Sequence, residues 1–413
     1  MISQLTKVPP GWEKVKFGDI AKNITDRIDN PKESNLENYI GLEHLDTDEI
    51  RIKRYGSPDE VEATKFLSKK GDIIFGKRRA YLRKLAVTGR DAVVSAHSMV
   101  LRPKEEKVLP EFLPWFMYSS QFWRTAFAIS EGSLSPTIKW KTLSAQEFWL
   151  PSRNEQRRIA EILWSIESNV EKLEQLIQVA EKLKKGLLEE LLIKGIGHKK
   201  FKKTDLGEIP EEQETRRLGE VLRLLKDGTH ILPPKREKGV PILSALNISN
   251  GDIFFGTRHS LISEEDYEKI HRNYQIEKGD VLFTIVGTIG RAAIVSTDKK
   301  FSIQRSVAIF KPNPQILRSG YLYYTTQSEY FSRQIDSLRK MTAQAGIYLK
   351  ELSKIKVILP PLDEQDAILG LLTKIDQNLR NLSAELRVVS DLRKKLTDSF
   401  ISGELTFPMG DMN

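Results

Sequence analysis

Cysteine is absent from the 413 residues, which excludes disulfides and thiolate-bound zinc. No apolar run approaches the roughly eighteen residues that a membrane span needs. The opening stretch, Met1 to Val15, also lacks the positive-then-apolar order of a cleaved leader. A cytoplasmic chain with no membrane partner is expected. Histidine is scarce, with six residues and no HxH or HxxxH pair, so a metal cluster is not expected. The pattern GxxxxGK[ST] never occurs, so no ATP-phosphate cradle is encoded. A strand–Gly-rich loop–helix signature for S-adenosylmethionine is missing, as is an Asn/Asp-Pro-Pro-aromatic motif. Gly287-Thr288-Ile289-Gly290 does not meet the dinucleotide pattern. Pro58-Asp59 with Glu105-Glu106-Lys107 resembles a carboxylate–lysine nuclease set only superficially, since it lies in loop-like sequence. No catalytic residue, metal or bound cofactor is expected, and binding is favoured over an undetected nuclease or transferase.

What is present begins with charge. Lys and Arg number 65 against 56 Asp and Glu, a formal net charge of +9. The isoelectric point is about 9.3. Such a balance favours polyanions, because cations near phosphates release condensed counterions. With 39% apolar residues the chain can build real cores, and its length suggests two or three domains.

An internal duplication is the strongest signal. Lys70-Gly71-Asp72-Ile73-Ile74-Phe75 returns 208 residues later as Lys278-Gly279-Asp280-Val281-Leu282-Phe283. Arg83 then aligns with Arg291, Ala86-Val87 with Ile294-Val295, and His97-Ser98 with Arg305-Ser306. After one inserted residue the offset is 209, through Leu101-Arg102-Pro103/Phe310-Lys311-Pro312 to Leu150-Pro151/Leu359-Pro360 and Glu155-Gln156/Glu364-Gln365. The starts also correspond, Pro9 through Gly18-Asp19-Ile20 with Pro210 through Gly219-Glu220-Val221. Each copy opens with short strand-like runs broken by Gly and Pro, followed by helical patterns over 111–127 and 321–338. A Leu-Pro stop then precedes a long segment nearly free of Gly and Pro.

Those long segments carry narrow apolar seams. The first, over 154–193, presents Ile159, Leu163, Ile166, Val170, Leu173, Leu176, Ala180, Leu183 and Leu187, with one slip at Leu173–Leu176. The second presents Ile368, Leu372, Ile375, Leu379, Leu382, Leu386, Val389, Leu392 and Leu396. Alternating steps of four and three are the seam of a coiled coil, and two lone seams most simply bury each other. A helix of about forty residues spans roughly 60 Å, a spacer. The duplication requires each helix to relate to the two modules equivalently. A pseudo-two-fold axis with antiparallel helices satisfies this and brings the segment near Gly403 back to the N-terminal segment, a circular arrangement. The expected fold class is α+β: two similar mixed globular modules separated by two long antiparallel helices. Boundaries are placed at 1–153, 154–197, 198–361 and 362–413. Two independent beads on a string are the alternative.

At the module ends the sequence resembles the specificity (S, or HsdS) subunits of type I restriction-modification systems. Leu359-Pro360-Pro361-Leu362-Asp363-Glu364-Gln365 reads as that family's PPLxEQ, whereas the first copy departs at Ser152-Arg153. The stretches 71–81 and 279–290 and the linker Thr204-Asp205-Leu206-Gly207-Glu208-Ile209-Pro210 are similar to family members too, although Gln213 stands where the first copy has Trp12. The resemblance covers essentially the whole chain. It implies two target recognition domains, each reading half of a bipartite, asymmetric site on double-stranded DNA. It also implies docking of two methyltransferase (M) subunits and of restriction (R) subunits. Adenine methylation and ATP-dependent cleavage would then belong to those partners, with S-adenosylmethionine, ATP and Mg bound there. A nucleic-acid-binding scaffold without sequence readout is the alternative.

Reading DNA needs donors for base edges and cations for phosphates. In module one, Lys77, Arg78, Arg79, Arg83 and Lys84 surround Tyr81 directly after a strand, against the alternative of a solvated basic turn. Module two has the nearly uncharged run to Thr288 and Arg291 there, which predicts unlike half-sites. His97 and Arg305 take equivalent positions, with Gln304 beside the latter. Gln304-Arg305 offers pairings to adenine and guanine, or a structural ion pair. Lys139 and Lys141 around Trp140, and His230 with Lys235 and Arg236, complete the candidates. The 199–203 lysine cluster tracks phosphate or stays solvated.

Overall fold

The computed structural model describes residues 8–249, 251–256, 260–341 and 346–407. It divides into two units, one from 1–175 and 383–413, the other from 176–382. The division falls within each long helix, so each unit includes part of both.

Unit 1 holds the first module. A sheet ordered Ala21–Ile24, Ser98–Pro103, Ile73–Gly76, Leu85–Val87 lies beside a second four-stranded sheet that includes Lys65–Ser68 and Ala92–Val94. Ile73–Gly76 is apolar and buried at every position because both its faces are covered. The helical pattern over 111–127 resolves into Leu113–Tyr118 and Ser120–Ala128. Ser119 breaks it by capping the second helix, its Oγ accepting from Phe122 N. Phe17, Phe75, Phe116, Phe122 and Trp123 fill the core at the module's base. Burying each contributes about 2–3 kcal/mol.

Unit 2 repeats the plan. Leu222–Asp227, Val307–Pro312, Val281–Thr284 and Ala292–Ile294 form the corresponding sheet. Helices Ser319–Thr325 and Glu329–Met341 follow, with Ser328 Oγ accepting from Phe331 N. The duplicated Lys-Gly-Asp motif has a framework role in both copies. Gly71 and Gly279 each turn the chain at φ +91°, a conformation glycine adopts at little cost. Asp72 and Asp280 then accept from Lys69 N and Glu277 N, each at 2.8 Å. Arg102 and Lys311 neutralise the two buried carboxylates, at 2.6 and 2.9 Å.

Strand pairing corrects the repeat alignment. Ile73 faces Val87, whereas Val281 faces Ile294, so Ala86-Val87 correspond to Ala293-Ile294. Gly76 faces Ser98 and Thr284 faces Val307, so Ser98 corresponds to Val307 and His97 to Ser306, not Arg305. The length difference therefore falls in the hairpins, where exposed loops absorb a residue that a paired strand cannot.

The long helices are Arg153–Lys194 and Leu362–Ile401. Within unit 2, Lys184 pairs with Asp376 at 2.6 Å, and Ile196 N donates to Glu364 at 2.9 Å. Within unit 1, Glu167 pairs with Arg393, and Arg158 lies over the Phe407 ring. In each unit the contacts advance along one helix while receding along the other, so the segments are antiparallel. Gly403 meets Pro9 and Trp12, and the two chain ends share unit 1. Trp12 and Gln213 thus do different work at matching places: Gln213 hydrogen-bonds Glu364 at 3.1 Å, beside His198.

The seam itself differs from its apolar outline. Ile159, Leu163, Val170 and Leu173 are buried, with Ile166 and Leu187 half-buried. Leu176 and Leu183 are 53% and 54% exposed, and the shielded face passes instead through Ile177, Ala180 and Lys184. There is no slip. In the second helix Ile368 and Leu372 are buried, while Ile375, Leu379, Leu382, Leu386 and Leu396 are half-buried. Leu392 stands outside, and the seam takes Arg393, only 5% exposed. A partnered Lys or Arg sits on the helix–helix face with its stem packed and its charge paired, which an apolar count reads as exterior.

Candidate nucleic-acid interface

The module-one candidates leave the buried strand Ile73–Gly76 on a strained loop. A short helix, Ala80–Leu82, is flanked by Arg79 at φ +54° and Arg83 at φ +50°. Left-handed non-glycine residues cost about 1 kcal/mol or more each, and such strain clusters where a loop must present a particular surface. Arg79 N donates to Pro136 O at 2.7 Å and Ile138 N to Lys77 O at 2.9 Å, so this loop is joined to 131–141. Arg78 Nη1 lies 3.1 Å from a ring nitrogen of His97. Burial first, then Arg78, Lys77 and Lys65, hold His97 below the ordinary imidazole value, with Glu43 opposing.

The structure thus gathers Lys77, Arg78, Arg79, His97 and Lys139 on one face, with Trp140 half-buried among them. Lys139 is paired with Glu131 at 2.6 Å, and Lys141 is exposed on the helix Trp140–Ser144. Tyr81 is 58% exposed. Arg83 and Lys84 turn inward instead. Arg83 binds Asp48 at 2.5 Å and lies over Trp123, and Lys84 Nζ donates to Leu42 O at 2.5 Å. Both brace the loop.

In module two, Thr229 pairs with Gln304 as an isolated bridge, and Arg305 N donates to Thr229 O at 3.0 Å. His230, beside them, pairs with Asp227 at 2.7 Å. Thr288, Lys235 and Arg236 are exposed, while half-buried Arg291 donates its backbone N to Thr284 Oγ1 at 2.9 Å. Arg236 N donates to Leu261 O. The structure therefore brings Gln304, Arg305 and His230 together.

Other side chains on these faces escaped the sequence reading. Leu134 is 93% exposed in module one and Ile231 85% exposed in module two. Apolar tips there suit contact with a thymine methyl. Arg27 lies 5.7 Å over the Phe66 ring whose other neighbour is Lys77, at 5.6 Å. No sequence motif marks any of the three. Among the described residues no group of three His, Asp or Glu is arranged to hold a metal, and no helix is long and apolar enough to cross a membrane.

Comparison with known proteins follows the same division. The family model described as the Type I restriction modification DNA specificity domain matches residues 9–182 and 210–388. The MjaVIII type I restriction enzyme specificity subunit of Methanocaldococcus jannaschii is 26% identical over 408 residues, 97% of this chain and 94% of that one. The EcoBI specificity subunit of Escherichia coli is 25% identical over 301 residues, 68% of this chain and 63% of that one. A solved chain from work on complex assembly and conformational transition of the type I R-M system has a TM-score of 0.59 at 21% identity, covering 97% of this chain and 100% of that one. The type I S subunit of M. genitalium gives 0.57 at 16%, covering 99% and 98%. At such identities the structural likeness is one of fold.

Proposed function

The chain belongs to the type I restriction-modification DNA specificity family, and from that premise we propose that it is the DNA-reading subunit of such an enzyme. Each module reads one half of a bipartite, asymmetric site on double-stranded DNA. The observation that carries this reading is one framework built twice with unlike loops. The Asp72 and Asp280 turns, the sheets and the Ser119 and Ser328 caps repeat, whereas Lys77-Arg78-Arg79 on one face answers to uncharged residues on the other. Conserving a scaffold while changing its loops is how one fold presents two specificities.

The chain carries no catalysis of its own in this reading. Methylation of adenine and ATP-dependent cleavage sit on M and R partners, which bind S-adenosylmethionine, ATP and Mg. The long helices supply a docking surface. Val179 and Leu183, in unit 2, are 62% and 54% exposed. Their repeat equivalents Val388 and Leu392, in unit 1, are 66% and 46% exposed. An exposed apolar pair recurring at the repeat offset supports docking of two partners of the same kind, here two M subunits.

The test is methylation of a random-sequence duplex library by an M subunit with and without this chain. Enrichment of one split motif only when the chain is present supports the reading. Motif-free methylation, or binding with no preference, leaves a non-specific scaffold, and methylation by the chain alone makes it an enzyme.

A further inference from the structure

The cationic face of module one contains a pocket of about 250 Å³, lined by Asn23, Phe66, Lys77, Ser98, Thr137 and Trp140 among others. Two of its lining groups are out of place in a packed fold. Lys77 is half-buried, and among the described residues neither it nor its neighbours Arg27 and Arg78 is paired with a carboxylate. Burial first, then Arg27 and Arg78, hold the Lys77 ammonium below its ordinary value. Ser98 is fully buried, and its Oγ has no hydrogen-bond partner. An unmet buried hydroxyl, and a half-buried cation with no counter-charge, each cost free energy that a framework residue would avoid.

The second module shows that the framework does not need them. By strand register Lys77 corresponds to Ile285 and Ser98 to Val307, both buried and apolar. The same sheet edge therefore closes perfectly well on hydrocarbon. What Lys77 and Ser98 add is a donor pair within a carboxylate-poor pocket: an ammonium and a hydroxyl, beside the Arg78 guanidinium.

We propose that this pocket is a phosphate site, present in module one alone, with Lys77 and Ser98 as its donors, while Lys139 on its lining stays paired with Glu131. A phosphate supplies the negative charge that the cluster lacks and the acceptor that Ser98 lacks. Taken as a contact to the backbone of bound DNA, the site rests on the function proposed above; its phosphate chemistry does not. A backbone contact there would fix the register of module one without reading sequence.

The test uses the full chain and inorganic phosphate, followed by ³¹P NMR line broadening. Lys77→Met should weaken binding about tenfold and Ser98→Ala about threefold, each with an unchanged near-UV spectrum, as loss of a charged and a neutral hydrogen bond requires. Equal broadening by wild type and both variants overturns the proposal. A mixed-sequence 30-base-pair duplex then identifies the source. Displacement of phosphate, with a salt slope about 0.9 smaller in Lys77→Met, assigns the site to the DNA backbone. Binding of the duplex without displacement assigns it to a small phosphate compound. A chain that binds no duplex at all removes the DNA-reading function and leaves the phosphate titration to stand or fall on its own.

Discussion

Replacing Arg393 by Met should unfold unit 1 at distinctly lower denaturant while leaving unit 2 nearly untouched. Arg393 is 5% exposed and pairs with Glu167, itself 1% exposed, while Nη2 lies 3.2 Å from Tyr118 Oη and 3.3 Å from Asp48 O. Burial works against the Arg393 charge, but Tyr118 and Glu167 outweigh it and hold its pKa above the ordinary value. Methionine keeps most of the stem's packing and leaves the carboxylate behind. Removing one partner of a buried pair costs about 3–5 kcal/mol. Arg51 still holds one Glu167 oxygen, which favours the lower end, about 3 kcal/mol. The repeat-equivalent pair is wetter, Lys184 and Asp376 being 23% and 15% exposed, and Tyr324 still donates to Asp376. Lys184→Met should therefore cost only about 1 kcal/mol. All six tryptophans lie in unit 1, so their fluorescence reports that unit alone. With a urea slope of about 3 kcal/mol per molar, Arg393→Met moves the tryptophan midpoint down by about 1 M. Lys184→Met should leave it in place and shift only the far-UV signal. Glu167→Met/Arg393→Met should recover part of the loss, since no buried charge is then stranded. A tryptophan midpoint unmoved by Arg393→Met, or moved as far by Lys184→Met, would mean that the buried pair does not hold unit 1 together.

Three further outcomes follow from the same structure. His271 is fully buried against Ser302 and the rings of Tyr267 and Tyr274, and burial lowers its pKa to about 4. The unfolded chain binds that proton near pH 6.5 and the folded one near pH 4. The stabilisation is therefore complete above 6.5 and is lost as pH falls to 4, up to about 3 kcal/mol. His271→Phe should flatten that part of the far-UV unfolding profile, and an unchanged profile counts against it. Gly239 has φ +142°, and a Cβ there would run into the Ile262 carbonyl, so Gly239→Ala should destabilise unit 2 by about 2 kcal/mol or more in the same assay. Leu183→Asp/Leu392→Asp should abolish co-purification with an M subunit at unchanged thermal stability; undiminished recovery would place docking elsewhere.

The duplication, with its repeated Lys-Gly-Asp motif, and the bounds of the two long helices are legible in the sequence because each is a pattern of nearby residues. Gln156 and Gln365 of the module-end motif were visible as letters but not as what they do. Each buries its amide, accepting from Leu109 N or Arg318 N and donating to Pro151 O or Pro360 O. The carboxylates that cap module helices were equally hidden: Asp398 accepts from Ser120 N and Glu189 from Glu329 N. Their partners lie far away in sequence, and no period marks them. In sequence Arg83 and Lys84 belong to one basic run with Arg78, because Asp48 and Leu42, which hold them, lie 35 and 42 residues earlier. Hydrophobic periodicity selects Leu183 and Leu392 over the seam residues Lys184 and Arg393, since it cannot register a charge whose partner is on the facing helix.

Whether each module independently reads half of a site is tested by sequencing the methylome of cells that carry an M subunit with this chain, and again after residues 210–358 are exchanged for another such module. One split motif is expected in the first case and, in the second, a motif altered in one half alone. A change in both halves, or an unsplit motif, would contradict independent reading.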